Sequence, residues 1–235
     1  MFVIPCKYFD NNPLIFKCLD SIRKFHQDPI VVVDNGSDNL DYLNMVSERY
    51  KNVFTEKNEI SGYEFGALSI AYEKYDFKEY FLMHDSMFLN SNIDHVKNKE
   101  VLSTRYFNSW NGIGGTNLVS SNGMLSYRYG YDNQQQMNIV HSWNNNTINK
   151  NIPYSFEGVF GSSFYSKREV LDLFKKDKLF ECIPRNKLES QAMERFLGII
   201  LKLYDLNHYS DSLMGEHHNN TYESKYITKL IVSRQ

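Results

Sequence analysis

Cysteine is scarce in this chain: Cys6, Cys18 and Cys182 are widely spaced and form no C-x-x-C pair. An odd, dispersed set excludes a disulfide framework and a zinc-ribbon type of site, and it suits a reducing compartment. Long apolar runs are missing too. The longest, such as Pro29–Val33 and Leu197–Leu201, fall far short of the ~20 residues that cross a bilayer, so no transmembrane segment is expected. Charge of one sign is not in excess: 26 Lys and Arg stand against 28 Asp and Glu, a formal net charge of -2. The basic stripe that a nucleic-acid partner requires is therefore absent, and no such partner is expected. The chain opens Met1-Phe-Val-Ile-Pro5 with neither the basic stretch nor the apolar core of a secretory leader, so a cytoplasmic location is expected. In that setting the sequons at Asn35, Asn145 and Asn219 carry no meaning. Three nucleotide and hydrolase signatures are missing as well. There is no G-x-x-x-x-G-K-[ST], no G-x-S-x-G elbow, and Gly112-Ile-Gly114-Gly115 is not a G-x-G-x-x-G following a strand. P-loop, hydrolase and dehydrogenase readings lose their main support.

What is present is an alternation. Phe2-Val-Ile-Pro5 reads as a buried strand, and Pro13 to Lys24 repeats apolar residues near helical spacing at Leu14, Phe16, Leu19 and Ile22. Pro29 to Asp34 is a second strand ending in the turn Asn35-Gly36-Ser37-Asp38, followed by a helix over Leu40 to Tyr50. Asn52 to Thr55, Gly62 to Lys74 and Tyr80 to Met83 supply a third strand, a third helix and a fourth strand, which ends at His84-Asp85-Ser86. Strands alternating with helices predict a mostly parallel sheet covered on both faces, with ligands outside the carboxyl ends of the strands. Two of those ends carry an aspartate, Asp34 and Asp85. From Leu102 to Ser155 the periodicity breaks, and an irregular, aromatic-rich excursion is expected there. Phe156 to Tyr165 reads as a buried strand or loop. Ser166 with Glu169 reads as a capping box opening a short helix, and Leu188 to Tyr204 as the strongest helix of the chain. The segment from Asn207 is polar and carries His208, His217 and His218. No internal repeat is present.

In this order and spacing the residues resemble a known family. Phe2-Val-Ile-Pro5 with Asn12 before the first helix, Val31-Val-Val-Asp-Asn-Gly-Ser-Asp38, Asn58 followed by Gly62, Gly66 and Ala67, and Tyr80-Phe-Leu-Met-His-Asp-Ser86 look like successive motifs of GT-A fold nucleotide-sugar glycosyltransferases, family-2-like. The resemblance covers residues 2–90 well and 156–204 more loosely. It implies an α/β fold of GT-A type, with a Rossmann-like, mostly parallel central sheet flanked by helices. It further implies one domain over 1–235, in which 1–100 form the nucleotide-sugar-binding half and 101–235 the acceptor half and C-terminal tail. The implied activity is transfer of a hexosyl or deoxyhexosyl group from a UDP-, GDP- or dTDP-sugar to a hydroxyl of a glycan acceptor. Inversion and assistance from Mn or Mg are expected.

The residues fit those roles as follows. Pro5, Asp34, Asn58, Gly62, His84 and Asp85 form the expected donor site. A carboxylate at a strand end can accept from a base edge or a ribose, which gives Asp34 the nucleoside; the same residue can instead close an Asx turn around Asn35-Gly36, a turn that Asp38 would share. Asp85 is the expected ligand of a divalent cation facing the diphosphate, with His217 as a second ligand. His84-Asp85-Ser86 departs from the family's D-x-D by offering one carboxylate in place of two. His84 is equally readable as a core histidine and as a phosphate or ribose contact. Glu189-Ser190 stands where the family carries an E-D pair, so Glu189 is the expected base, with Glu157 and Glu194 as alternatives and helix capping as the other reading of Glu189. Arg105, Lys167 and Arg185 could add positive charge, and Trp110 and Trp143 could stack on a sugar or pack the excursion down. Rival readings are a sugar nucleotidyltransferase, whose Gly-rich basic opening residues 5–13 lack, a retaining transferase, and a degenerate, non-catalytic glycan- or partner-binding protein.

Overall fold

Strands buried on both faces need helices above and below them, and the first two strands are of that kind: Phe2–Cys6 (β1) and Ile30–Asp34 (β2) are buried throughout. The computed structural model describes residues 1–8, 14–59, 62–110, 115–119, 125–129, 133–209, 213–214, 216–218 and 221–231. For 108–110, 115–119, 125–129, 133 and 216–218 it describes the backbone alone. Leu14–Phe25 (α1) follows β1, Asp41–Arg49 (α2) follows β2, and Val53–Lys57 (β3), Tyr63–Lys74 (α3) and Glu79–Leu82 (β4) complete the first half. Parity along the strands decides which helix each residue meets. Phe2, Ile4, Cys6, Ile30 and Val32 pack with Ile15, Leu19 and Ile22 of α1 and Tyr42, Leu43 and Val46 of α2. Val3, Val31 and Val33 turn the other way, to Phe65, Leu68 and Ala71 of α3.

The second half begins with Met87–Leu89 (β5), Val101–Ser103 (β6), Tyr106–Trp110 (β7), Gly115–Val119 (β8) and Leu125–Tyr129 (β9). Asn133–Asn146 (α4), Ser155–Val159 (β10), Phe164–Lys167 (β11), Arg168–Lys176 (α5) and Lys187–Leu203 (α6) follow, and Glu216–His218 (β12), Thr221–Glu223 (β13) and Ile227–Leu230 (β14) come last. The central sheet has the order β3-β2-β1-β4-β11-β6. Its first four strands are parallel and β11 runs antiparallel between β4 and β6, which is the mostly parallel, helix-flanked α/β architecture expected. No helix among the described residues is long and apolar enough to cross a membrane. All three cysteines are buried and none of them is in a disulfide.

Two expectations need correction. The excursion at 102–155 is regular: β10-β7-β8-β9 form an antiparallel sheet, and α4 packs on α6 with Met137 and Val140 buried and the Trp143 ring 5.7 Å from Phe196. Short strands of mixed polar and apolar residues lack a continuous apolar run, and α4 offers few apolar anchors among its Asn and Gln, so periodicity misses both. The capping box at Ser166 is also absent. Ser166 lies buried inside β11, its hydroxyl donating to the Lys167 carbonyl, and α5 starts at Arg168 with no side-chain cap. The glycine at 198 has a clear cause: α6 crosses β10 so closely that a Cβ there would collide with the Glu157 carbonyl oxygen.

The last strands form a small antiparallel sheet, β12-β13-β14-β5, whose β5 continues directly from the His84-Asp85-Ser86 turn. His208 is a structural residue of this connection and is no solvated loop residue. It is 1% exposed, Nδ1 lies 3.1 Å from the Ser103 hydroxyl, and its carbonyl accepts from the Ser103 N–H and hydroxyl, each at 2.9 Å.

Candidate functional site

The chain leaves β1 toward β2 in one direction and enters β4 on the other side, so the crevice between the carboxyl ends of β1 and β4 is a topological switch point, where open α/β sheets bind ligands. Asp34 ends β2 on the α1–α2 side. Its carboxylate accepts from Gly36 N–H at 3.0 Å, Ser37 N–H at 3.2 Å, the Ser37 hydroxyl and the Tyr42 phenol at 2.9 Å. The Asx turn is thus formed, and it uses the atoms that a nucleoside would need. Burial, then Cys6 and Asp34 itself, push the Tyr42 phenol up, which keeps it a donor. Asn58 extends the same turn: its N–H donates to the Asp34 carbonyl at 2.8 Å and its amide to the Asn35 side chain at 2.9 Å, while Asn35 donates to the Tyr63 carbonyl at 3.1 Å. Pro5 pairs with Val33 in the β1–β2 ladder. Gly62 caps α3 where a Cβ would strike Ile183, and a Cβ on Gly66 would stand 2.8 Å from the Asn58 amide.

On the other side of the sheet, His84 is the centre of a chain of contacts that the sequence does not announce. Its Nδ1 lies 3.2 Å from Glu64 Oε1 in the first turn of α3, and its Nε2 lies 2.7 Å from the Gly161 carbonyl. The Gly161 N–H in turn donates to Glu194 Oε1 of α6 at 2.9 Å. Gly161 adopts φ +63° between β10 and β11, and a Cβ there would stand 2.9 Å from His84 Nε2. Burial raises the Glu194 carboxyl to about 7, opposed by Arg195 and the Gly161 N–H, reinforced by Glu64 and opposed again by Lys229. Asp85 is 3% exposed and close enough to Cys18 on α1 to add to the burial that pushes that thiol up.

The other expected residues lie as follows. Glu189 caps its own helix: Asn186 accepts from the Glu189 N–H at 3.0 Å, and the Glu189 carboxylate takes the Arg185 N–H at 2.7 Å and the Asn186 amide at 3.0 Å. It stands near enough to Tyr63 to raise that phenol, after burial and Glu64. Glu157 turns toward Tyr106, whose phenol it raises after burial. Arg105 is buried with its guanidinium 4.9 Å from the Tyr222 ring. Lys167 pairs with Glu79 at the amino end of β4, opposite the switch point, and Arg185 is exposed. His217 pairs through its backbone with Tyr222. The side chains of His217, His218, Trp110, Tyr127 and Tyr129, and all of Asn12 and Asp10, lie outside the described residues. Glu64 and Lys229 escaped the sequence reading, whereas Gly161 was legible in it as a position of close backbone approach; the strand-turn position of His84 was the other signal that could have led to them.

Among the described side chains, which do not include that of His217, the donors beside Asp85 do not by themselves compose a divalent-cation shell. Mg or Mn takes about six ligands, mostly oxygens, whereas both His84 nitrogens are engaged and the Ser86 carbonyl accepts from the Leu230 N–H at 3.0 Å. Among the described residues, the one group of three ligating side chains that converges is His26, Asp28 and Asp94, at the amino ends of β1 and β4. It does not suit a metal either. His26 Nε2 accepts from the Ile93 N–H at 3.2 Å, so Nδ1 carries the proton toward the two carboxylates, and Lys97 already bonds Asp94 at 2.8 Å.

No protein-family model and no curated protein matches the chain. Among solved structures it is similar in part to S. aureus TarS 1-349 in complex with UDP, at 11% identity and a TM-score of 0.44 over 82% of this chain and 53% of that one. The same TarS fragment with UDP-GlcNAc aligns at 16% identity and a TM-score of 0.35 over 43% and 32%. GalNAc-T7 with UDP, GalNAc and Mn2+ aligns at 13% identity and a TM-score of 0.42 over 72% and 34%. The chain spans from about a third to just over half the length of these proteins. Likenesses this weak leave function to be read from the chain's own residues.

Proposed function

We propose that this protein is a GT-A type glycosyltransferase that moves a sugar from a nucleotide-sugar donor to a hydroxyl of a glycan acceptor with inversion at the anomeric carbon. The observation that carries this reading is the joining of Glu64, His84 and Glu194 around Gly161 at the carboxyl end of β4, beside the switch point. The motif order over residues 2–90 supports it. In the reaction the acceptor oxygen forms a bond to C1, the bond from C1 to the diphosphate oxygen breaks with its electron pair, and the acceptor proton passes to a carboxylate. Glu194 suits that last role best. It is partly buried, held by the Gly161 N–H, and raised to about 7, near the value at which a base works at neutral pH. Glu189 is taken up by helix capping, so the base moves from the start of α6 to Glu194. The turn over Asp34 to Ser37, braced by Asn58, shapes the nucleoside end of the site; Pro5 and Gly62 keep the backbone close on either side. A divalent cation would offset diphosphate charge, but the described side chains beside Asp85 do not by themselves form its shell.

The test is a thermal-shift panel of UDP, GDP, dTDP and their sugars with the purified protein, followed by donor-consumption assays against glycan acceptors. A base-selective rise in Tm and acceptor-dependent release of one nucleoside diphosphate are expected. No shift with any nucleotide at millimolar concentration overturns the reading and leaves a glycan- or partner-binding role.

A further inference from the structure

A nucleoside diphosphate leaving group gains negative charge as the bond to C1 breaks, so positive charge must stand beside it. The described donors at Asp85 do not assemble a metal shell, and three observations place a different cation there. First, strand register sets Lys229 of β14 directly opposite Met87 of β5 on one side and Tyr222 of β13 on the other. Directly opposed residues share a face of the sheet, and Met87 is two residues beyond Asp85. Second, that face looks at the site. The Met87 sulfur lies 3.4 Å from the His84 N–H and from the Ser163 hydroxyl, and the Tyr222 ring lies 5.5 Å edge-on to Phe160, which precedes Gly161. Third, Lys229 is close enough to Glu194 to favour its charged form. The Leu230 N–H, donating to the Ser86 carbonyl at 3.0 Å, ties the strand to the turn itself.

We propose that the Lys229 ammonium binds the diphosphate of the donor, so that donor binding and transfer proceed without a divalent metal ion. This rests on the transferase reading above. An ammonium on a four-carbon stem binds phosphate as a point charge from a half-buried strand position. Lys229 keeps its proton throughout: the acceptor proton goes to Glu194, the electron pair of the broken bond goes to the terminal phosphate oxygen, and the ammonium offsets the charge that results. Its strand is tied to the turn through the Leu230 N–H and its charge acts on Glu194, so one side chain serves both base and leaving group.

The experiment is calorimetric titration of the full chain with the nucleoside diphosphate selected by the panel and with its parent nucleoside, in EDTA and in Mn, for wild type, Lys229→Met and Lys229→Arg. Expected are diphosphate affinities in EDTA and Mn within threefold of each other, a loss of tenfold or more in Lys229→Met with nucleoside affinity unchanged, and recovery to within threefold in Lys229→Arg. Melting curves of both variants check that the fold is kept. Should Lys229→Met not fold, the EDTA comparison on wild type and the Lys229→Arg affinity still decide. Diphosphate binding that appears only with Mn or Mg overturns the inference and leaves the transferase reading standing, as does full diphosphate affinity in Lys229→Met. Failure of every nucleoside diphosphate to bind, with or without metal, overturns both.

Discussion

Glu194 and Glu189 lie five residues apart on one helix and differ in everything that decides chemistry. Glu189 spends both oxygens on the helix start, whereas Glu194 receives the Gly161 N–H in a crevice where burial raises it to about 7. Glu194→Gln should therefore lower the transfer rate by about 10²- to 10⁴-fold while leaving donor affinity within threefold, measured as kcat and Kd. The wild-type rate should rise with pH through about 7, because the base must be ionised, and the variant should lack that limb. Stability moves the opposite way. A carboxyl raised in the folded state contributes most below its unfolded value near 4.5 and loses that contribution as pH climbs through about 7. At pH 8 Glu194→Gln should then be more stable than wild type by on the order of 2 kcal/mol, read as a higher Tm. A gain in stability with a loss of rate separates a working site residue from a structural one.

At the scale of elements, α6 carries the site and two features hold it. At its start Asn186 caps the helix through the Glu189 N–H, and the Glu189 carboxylate reaches back to the Asn186 side-chain amide and the Arg185 N–H. Asn186→Ala should cost about 1 kcal/mol in denaturant unfolding and leave transfer within threefold, an outcome that a catalytic Glu189 would contradict if Glu189→Gln abolished transfer instead. Its middle crosses β10 at Gly198, where a methyl group meets the Glu157 carbonyl. Gly198→Ala should destabilise by about 1–3 kcal/mol, more than any helix-propensity gain returns, and should push α6 off the sheet that sets Gly161 against Glu194. A Tm equal to wild type would contradict this. The same elements show how far the residues could be read unaided. Helix α6 was visible from its apolar face of Met193, Leu197, Ile200 and Leu201. Strand β7 was not, because it is defined by its pairing with β8 and with β10, some fifty residues on, from Tyr106–Val159 to Trp110–Ser155.

For the whole molecule, the polar C-terminal segment is a working part of the fold. His208, at the exit of α6, is buried against Ser103 of β6, and burial pushes it down to about 4. A histidine held neutral in the folded state contributes fully above its unfolded value near 6.5 and loses that contribution as pH falls toward 4. The protein should lose on the order of 3 kcal/mol of stability across that window from this one residue. In His208→Gln, which cannot titrate, melting temperature should fall less steeply with acid; an identical slope in both proteins would rule the account out. Past His208 the chain folds back as β12–β14 and joins β5, which brings Lys229 to the turn at His84 from the far end of the sequence.

The first hundred residues announce their own architecture because the central strands β1 and β2 are buried on both faces and each helix on one, so local burial imposes the alternating pattern. The aspartates at the ends of β2 and β4 follow from the same pattern, since a strand end in a parallel sheet is a defined place. What Asp34 does was open in the residues and became visible only when Gly36, Ser37 and Tyr42 closed on its carboxylate. The meeting of Glu64, His84, Gly161, Glu194 and Lys229 belongs to tertiary structure. They come from five segments, each polar residue reads equally well as a solvated surface group, and their closeness depends on strand pairings and helix crossings whose partners lie far apart along the chain.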